Sequence, residues 1–228
     1  MTTLALTVVF ASTASAATIT NGSFETGNFF GWVVRDLANP YSPLVVTDAE
    51  SNTYSWSWSS MPTDGSYTAF SGFDGAGPGT ITIAQDIGIV GDALYLIFDY
   101  RAAWNLRNFC SNCDGRSFDV RIQSALDSSQ LGSFNFINAT PNSYQDDTGA
   151  LTGSVDMSAF IGQDVWISFE LLVPNNFSGP AQFQLDNIQL SNEVPDNIQL
   201  PNEVPEPFSL ALFGIGGLGI GAAHRRKQ

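Results

Sequence analysis

The chain has 228 residues, enough for one domain of ordinary size together with N- and C-terminal processing segments. Residues 17–190 contain five arginines, no lysine and no histidine, against eighteen acidic residues, a net charge of −13. This composition excludes a nucleic-acid partner, which needs clustered Lys and Arg, and a Ser-His-Asp or Cys-His catalytic site, which needs histidine.

The first sixteen residues have the pattern of a secretory signal peptide. An apolar run from Leu4 to Phe10 is followed by the small residues Ala14, Ser15 and Ala16. We therefore expect export and cleavage after Ala16. No Lys or Arg precedes the apolar run, so the alternative is a buried first strand or helix.

Between Thr18 and Leu190 the sequence is typical of β-structure, with short alternating or apolar runs separated by clusters of Gly, Asn, Asp, Ser and Pro. Met157–Ile161 is the one predicted helical turn, with Asp156 as its cap. Many short strands, with seventeen Phe and five Trp to fill a core, predict an all-β fold for residues 17–190: a two-sheet antiparallel jelly-roll sandwich. The predicted strands are Gly31–Val34, Leu44–Thr47, Tyr54–Trp58, Tyr67–Ser71, Thr80–Ile87, Leu94–Ala102, Ser117–Gln123, Gly132–Ile137, Tyr144–Ser154, Val165–Leu172 and Ala181–Leu190.

Two groups of aromatic residues are candidate ligand platforms. Tyr54, Trp56 and Trp58 alternate with serines, so a strand would place all three rings on one face. That face either stacks on sugar rings or packs into the core of the sandwich. Trp104 and Arg107, near Phe109, form the second candidate patch.

Cys110 and Cys113 are the only cysteines. A zinc site would need two further good ligands, and the body offers neither another Cys nor a His. In an exported protein this spacing favours a small disulfide loop between two strands. The alternatives are two free thiols or a catalytic redox pair.

A ten-residue unit is duplicated after the last predicted strand. Residues 186–195 and 196–205 differ only at Ser191 and Pro201. Two copies cannot stack into a solenoid, which needs at least three repeats. We therefore interpret residues 191–204 as a linker lengthened by duplication, with prolines that stiffen it and keep it from pairing with a sheet.

The C-terminus combines an apolar run with a basic tail. Residues 208–223 carry no charge and are followed by Arg225, Arg226 and Lys227. As a helix they would span roughly 24 Å, a little less than a ~30 Å hydrocarbon core. The basic end then stays on the cytoplasmic side. Five glycines make the run a poor helix former, which favours a transient, processed membrane anchor.

Pro205, Glu206 and Pro207 stand directly before this run. A Pro-Glu-Pro motif, a short apolar helix and a basic cluster, in that order, resemble the PEP-CTERM sorting signal of Gram-negative bacteria over residues 205–228. The resemblance implies recognition by an exosortase, a membrane-embedded processing enzyme. It also implies an inner-membrane anchored precursor that later reaches the cell surface or the extracellular polysaccharide matrix. The alternative is an ordinary C-terminal anchor.

The body resembles jelly-roll domains related to carbohydrate-binding modules, in its opening residues 21–32 and in its closing strand, residues 183–188. The resemblance implies a structural Ca²⁺ between Glu25 of the opening segment and Asp186 of the closing strand. Hard oxygen ligands suit Ca²⁺, but two carboxylates fall short of the six to eight oxygens it takes. The alternative is that both are solvated or cap a turn, and no other cofactor is expected.

These features together predict a non-enzymatic surface or matrix protein that binds polysaccharide. Without histidine, the chemistry that remains open is glycoside hydrolysis by paired carboxylates, which defines the rival function. A third interpretation is a purely structural matrix component.

Overall fold

A computed structural model describes residues 16–48, 56–91, 94–109, 112–194, 196 and 198–202. In these ranges the chain forms eleven strands and one 3-10 turn, Ser158–Phe160. The strands are β1 (Val33–Arg35), β2 (Val45–Asp48), β3 (Tyr67–Ser71), β4 (Gly79–Ile89), β5 (Tyr95–Asn105), β6 (Arg116–Ser124), β7 (Gln130–Ala139), β8 (Tyr144–Gln145), β9 (Leu151–Asp156), β10 (Asp164–Val173) and β11 (Ala181–Ser191).

The strands form two antiparallel sheets. The first has the order β1-β4-β10-β6-β7, and the second has the order β2-β3-β11-β5, with β8 and β9 end to end along the far edge of β5. Without the short strands β1, β2 and β8, the orders are β4-β10-β6-β7 and β3-β11-β5-β9. Eight strands in these two sheets make a jelly roll, which confirms the predicted fold class.

The core lies between the two sheets and is rich in phenylalanine. Residues alternate across each strand, so Phe98 of β5, Phe118 of β6 and Phe183 of β11 all point inward. Phe118 and Phe183 contact across the sandwich at 4.5 Å between ring centroids, and Phe98 meets Phe136 edge-on at 5.0 Å. Such pairs stabilise the core beyond the area that they bury.

The predicted strands overlap those of the structure except at two places. Tyr144–Ser154 is divided into β8 and β9. The predicted strand Tyr54–Trp58 is wrong over its described part, since residues 56–58 form a bend. The predicted turn at Met157–Ile161 is confirmed as the 3-10 turn Ser158–Phe160. Its N-cap residue is Met157 and not the predicted Asp156, whose carboxylate accepts from the Ser158 N–H at 2.8 Å.

The second copy of the repeat contacts both sheets, so the expectation that the linker avoids sheet pairing is wrong. Gln199 pairs with Gly153 of β9 in parallel, and its N–H donates to the Thr152 carbonyl at 2.7 Å. The Asn202 N–H donates to the Asn135 carbonyl at 2.7 Å, in β7. Pro201 cannot donate a hydrogen bond, but Gln199 and Asn202 on either side of it do, to β9 and β7 respectively.

Several predicted features lie outside the described residues. These are residues 1–15 of the signal peptide and the whole tag, residues 205–228, with its apolar run. Tyr54 and Cys110 also lie outside. Across the ranges that the structure covers, no helix has the length and apolar character required to cross a membrane.

One end of the sandwich positions the candidate site. β3, β5, β7 and β10 finish there, and β4, β6, β8 and β11 begin there, as the strand registers show. The described loops at this end are residues 36–44, 72–78, 106–109, 112–115, 140–143 and 174–180. We call this surface the loop end.

Candidate functional site

The outer face of the second sheet is covered by the chain itself. Three polar residues of β11, Gln182, Gln184 and Asp186, alternate along the strand and so point away from the core. Each is no more than 1% exposed. Residues 56–66 lie across them, and we call these residues the covering segment.

Two glutamines fix the covering segment through its backbone. Gln182 accepts from the N–H groups of Trp56 and Ser57 at 2.7 and 2.8 Å and donates to the Trp58 carbonyl at 2.7 Å. Gln184 accepts from the Met61 N–H at 2.8 Å and donates to the Met61 carbonyl at 2.6 Å. The side-chain amides therefore supply the partners that a neighbouring strand would supply.

Two carboxylates hold the end of the same segment. One oxygen of Asp186 accepts from the N–H groups of Thr63 at 2.7 Å and Asp64 at 3.2 Å. Burial outweighs these hydrogen bonds and raises the pKa of Asp186 to about 6. Glu25 accepts from the N–H groups of Ser66 and Tyr67, both at 2.8 Å.

The surroundings of Glu25 and Asp186 do not fit the calcium ion that the resemblance implies. Backbone N–H groups point at both carboxylates and occupy positions where a cation would need oxygen ligands. Within the described ranges, no group of three or more His, Cys, Asp or Glu could hold a metal ion. The structure gives both carboxylates the role of fixing the covering segment, and the calcium site stays a prediction.

Trp58, a predicted platform residue, is buried on the outer face of the second sheet. Its ring packs edge-on against Phe70 at 5.7 Å between centroids, in a small cluster with Ala103. The Arg101 guanidinium lies 4.3 Å from the ring centroid. With only 9% of its surface exposed, Trp58 cannot offer a ring face to a sugar. Trp58 therefore lies neither on a binding face nor in the core between the two sheets, which are the two places that the sequence predicts for it.

Arg101 is fixed above Trp58 by a bidentate ion pair. Its Nε and Nη2 donate to the two carboxylate oxygens of Asp147 at 2.8 and 2.6 Å. These hydrogen bonds hold the pKa of Asp147 below its usual range. Arg101 thereby closes the cluster around Trp58 and is occupied within the protein.

Trp56 and Arg107, from the two predicted patches, meet at a residue that the sequence did not single out. Tyr144 of β8 is 40% exposed and contacts the Trp56 ring edge-on at 6.4 Å. The Arg107 guanidinium lies 4.8 Å from the Tyr144 ring centroid. We call Trp56, Arg107, Tyr144 and Asp146 the edge cluster.

Hydrogen bonds fix the polar rim of the edge cluster. The Tyr144 hydroxyl donates to Asp146 Oδ1 at 3.0 Å, and this bond raises the pKa of the phenol. Ser57 Oγ donates to the Asp146 carbonyl at 2.6 Å, which ties the covering segment to the same loop. An exposed ring is thus surrounded by a guanidinium, a carboxylate and a hydroxyl, and hydrogen bonds hold the carboxylate and the hydroxyl in place.

The remaining predicted site residues surround this cluster. Trp104 of β5 is half-buried against the core, and its indole N–H donates to Ser143 Oγ at 2.8 Å. Phe109 is exposed at the loop end. Cys113, shortly before β6, is disulfide-bonded, and the pairing with Cys110 stays a prediction because Cys110 lies outside the described residues.

Solved structures of similar fold include carbohydrate-binding modules and an enzyme. TmCBM61 in complex with β-1,4-galactotriose is 15% identical, with a TM-score of 0.48 over 78% of this chain and 100% of that one. CBM27-1 of Caldicellulosiruptor saccharolyticus with mannohexaose is 15% identical, with a TM-score of 0.42 over 76% and 97%. A cyclase from Fischerella sp. TAU is 16% identical, with a TM-score of 0.48 over 78% and 96%. At this identity the likeness concerns the fold alone.

The C-terminal residues match a known sorting motif, whereas no curated protein matches the sequence. Residues 203–227 match the PEP-CTERM protein-sorting motif, in agreement with the predicted tag at residues 205–228. The C-terminal segment of this exported, surface-targeted protein is therefore a PEP-CTERM protein-sorting motif.

Proposed function

We propose that the protein is a non-enzymatic surface or matrix protein that binds polysaccharide through the edge cluster. The observation that carries this proposal is the exposed Tyr144 ring, which contacts Trp56 edge-on and lies 4.8 Å from the Arg107 guanidinium. Its polar neighbour Asp146 is fixed, since Asp146 is hydrogen-bonded to both Tyr144 and Ser57.

The chemistry of the edge cluster suits a sugar ring. A sugar presents polarised C–H groups on its faces, which an aromatic ring attracts, and hydroxyls around its rim. Arg107 can donate to these hydroxyls and Asp146 can accept from them. Because the Trp56 contact and the hydrogen bond to Asp146 already restrain the Tyr144 ring, little freedom of this side chain remains to be lost on binding.

The tag adds the cellular part of the proposal. We infer that an exosortase processes the chain at Pro205-Glu206-Pro207, after residues 208–223 have anchored the precursor in the inner membrane. This inference is supported by the match of residues 203–227 to the sorting motif. Processing would leave the jelly roll at the cell surface or in the extracellular matrix.

The proposal is tested by affinity electrophoresis of the full chain in detergent, through gels that contain galactan, mannan or xylan. We expect at least one polymer to retard the protein and Tyr144→Ala to weaken that retardation about tenfold, the effect of ~1.4 kcal/mol. Phe30→Ala, which removes an exposed ring elsewhere, should change nothing.

Two results would contradict this function. Unchanged mobility in all three polymers would remove polysaccharide binding, which leaves the structural-component alternative. Release of reducing ends from a retained polymer, abolished by removal of one carboxylate of a pair, would instead support the rival enzyme.

A further inference from the structure

Exposed aromatic side chains are concentrated on the loop end. Among the described residues, five aromatic side chains are exposed: Phe30, Tyr41, Phe109, Tyr144 and Phe177. All except Phe30 lie at the loop end, either in its loops or, for Tyr144, at the first residue of β8. Tyr41, Phe109 and Phe177 are each more than half exposed, at 54%, 54% and 53%.

The strands to which these four residues attach are neighbours in the second sheet. Tyr144 pairs with Asn105 at the end of β5, and Phe109 continues from that strand. Phe177 precedes β11, the next strand, and the Tyr41 N–H donates to the carbonyl of Asp74, which follows β3. From β8 through β5 and β11 to β3 there are three inter-strand steps, or about 15 Å.

A buried arginine links the loop of Phe177 to the segment that Tyr41 contacts. Arg116 is fully buried and donates to the Phe73 and Gly179 carbonyls, both at 2.7 Å. It also donates to the Asp74 carboxylate at 2.9 Å and to Ser178 Oγ at 3.0 Å. One side chain thus ties the loop that contains Phe177 to Asp74, whose carbonyl accepts the Tyr41 N–H.

The backbone at Phe177 is strained, and its ring is exposed. Phe177 has φ +40°, a conformation that bulky side chains rarely adopt, and its N–H donates to the Gly75 carbonyl at 2.9 Å. Asn108, directly before Phe109, has φ +61°. Such strain persists only where the surrounding structure enforces it, and it is typical of binding surfaces.

We propose that Tyr144, Phe109, Phe177 and Tyr41 form one binding row for an extended glycan chain. The proposal rests on the polysaccharide-binding function and extends its site: the edge cluster holds one part of the chain, and the other rings contact successive sugars. A polymer with apolar ring faces at intervals fits rings that stand on separate loops. A protein partner would instead require a contiguous apolar patch at the centre of its interface.

The test is calorimetric titration of the full chain in detergent with di- and hexasaccharides of galactan, mannan and xylan. For the sugar that binds, we expect the hexasaccharide to bind at least about tenfold more tightly than the disaccharide. Phe177→Ala should remove that gain and leave disaccharide binding unchanged. Phe177→Asn should do the same while tolerating the positive φ, and Phe30→Ala should have no effect.

The possible failures are distinguishable. Disaccharide binding that depends on Tyr144 but gains nothing with length would overturn the row and leave the proposed function standing. Equal loss of di- and hexasaccharide binding in Phe177→Asn would also overturn the row, because the two parts of the site would not be separate. Absence of binding to every sugar would overturn the proposed function together with the row.

Discussion

Asp186 shows how one side chain links the sheet to the segment that covers it. The residue belongs to the predicted last strand, and its outward position follows from the alternation of β11. Its environment could not be deduced in the same way, because the groups that bury it, Thr63 and Asp64, are more than 120 residues away in sequence. The outcome is a carboxylate that is fully buried, accepts hydrogen bonds from backbone N–H groups and has a pKa of about 6.

We expect Asp186 to make the folded chain more stable in mild acid than at neutral pH. Burial raises its pKa from 3.8 to about 6, so the folded state binds the proton more tightly than the unfolded state does. This contribution is fully present below about pH 4 and is lost as the pH rises through about 6, and it amounts to at most ~3 kcal/mol. Thermal unfolding of the wild type and Asp186→Asn between pH 4 and pH 7 measures it.

Comparison with a second variant isolates the effect. Other carboxylates make the folded chain less stable in acid, as Asp147 does beside Arg101. The effect of Asp186 is therefore measured as the difference in melting temperature between the wild type and the variant. Asp186→Asn should reduce the fall in melting temperature between pH 4 and pH 7. Asp86→Asn, at an exposed position of β4, should leave that fall unchanged. Identical pH profiles for the wild type and Asp186→Asn would show that this carboxylate is not the titrating group.

At the scale of elements, the covering segment changes what the second sheet presents to solvent. Gln182 and Gln184 satisfy its backbone, and the Trp58 cluster supplies its apolar contact. The outer face of β11 is therefore occupied by the chain, and four of the five exposed aromatic residues of the described ranges lie at the loop end. The covering segment also carries Trp56 to Tyr144, which makes it part of the candidate site.

Removing one glutamine should loosen this segment without unfolding the sandwich. Gln184→Ala leaves both the N–H and the carbonyl of Met61 without their partner, at a cost of about 1–3 kcal/mol. We expect a lower melting temperature and faster hydrogen exchange at the Met61 amide. The control is Gln189→Ala, an exposed position of the same strand, and equal exchange rates in the two variants would refute the role of Gln184.

The sequence predicted the positions of the strands better than the contacts that the strands and their side chains make. Alternation and turn residues located most strands, since a half-buried strand repeats every two residues whatever it pairs with. Trp56 and Trp58 were predicted to lie on a strand because they alternate with serines. A segment whose backbone is fixed by side-chain amides shows the same alternation, although it is not a strand. Tyr144 was missed as a site residue because its exposure depends on β5, which places it beside Arg107.

The duplicated repeat shows a similar limit. Its prolines predicted a chain held away from the sheets, but hydrogen bonds need only the N–H groups of Gln199 and Asn202 on either side of Pro201. The first copy begins within β11, and the second copy contacts β9 and β7. Two nearly identical sequences thus lie in different surroundings. No local sequence pattern could have predicted this difference.

At the scale of the whole molecule, the domain and its sorting tag are separated by few residues. Asn202 contacts β7, and Pro205 follows only three residues later. Three extended residues span about 10 Å, so the proposed anchor at residues 208–223 would hold the jelly roll of the precursor near the membrane surface. On the proposed function, removal of the tag would free the domain to reach polysaccharide.

Deleting residues 205–228 should therefore release the domain in soluble form. We expect the truncated chain in the medium or the periplasmic fraction, and the precursor in the membrane fraction, by immunoblotting of fractionated cells. Replacing Pro205 and Pro207 with Ala keeps the apolar run and should trap the uncleaved precursor in the membrane. A truncated chain that still sediments with membranes would show that the tag is not its anchor.

The central claim is that polysaccharide binds at the edge cluster, and the indole N–H signals of the five tryptophans test it most directly. In ¹⁵N-labelled protein, titration with the polymer that retards the wild type should shift the Trp56 signal, because Trp56 contacts Tyr144. The signal of Trp32, buried in the core, should not move. Tyr144→Ala should abolish the Trp56 shift. An unmoved Trp56 signal in the presence of bound polymer would contradict the account and place the binding site elsewhere on the molecule.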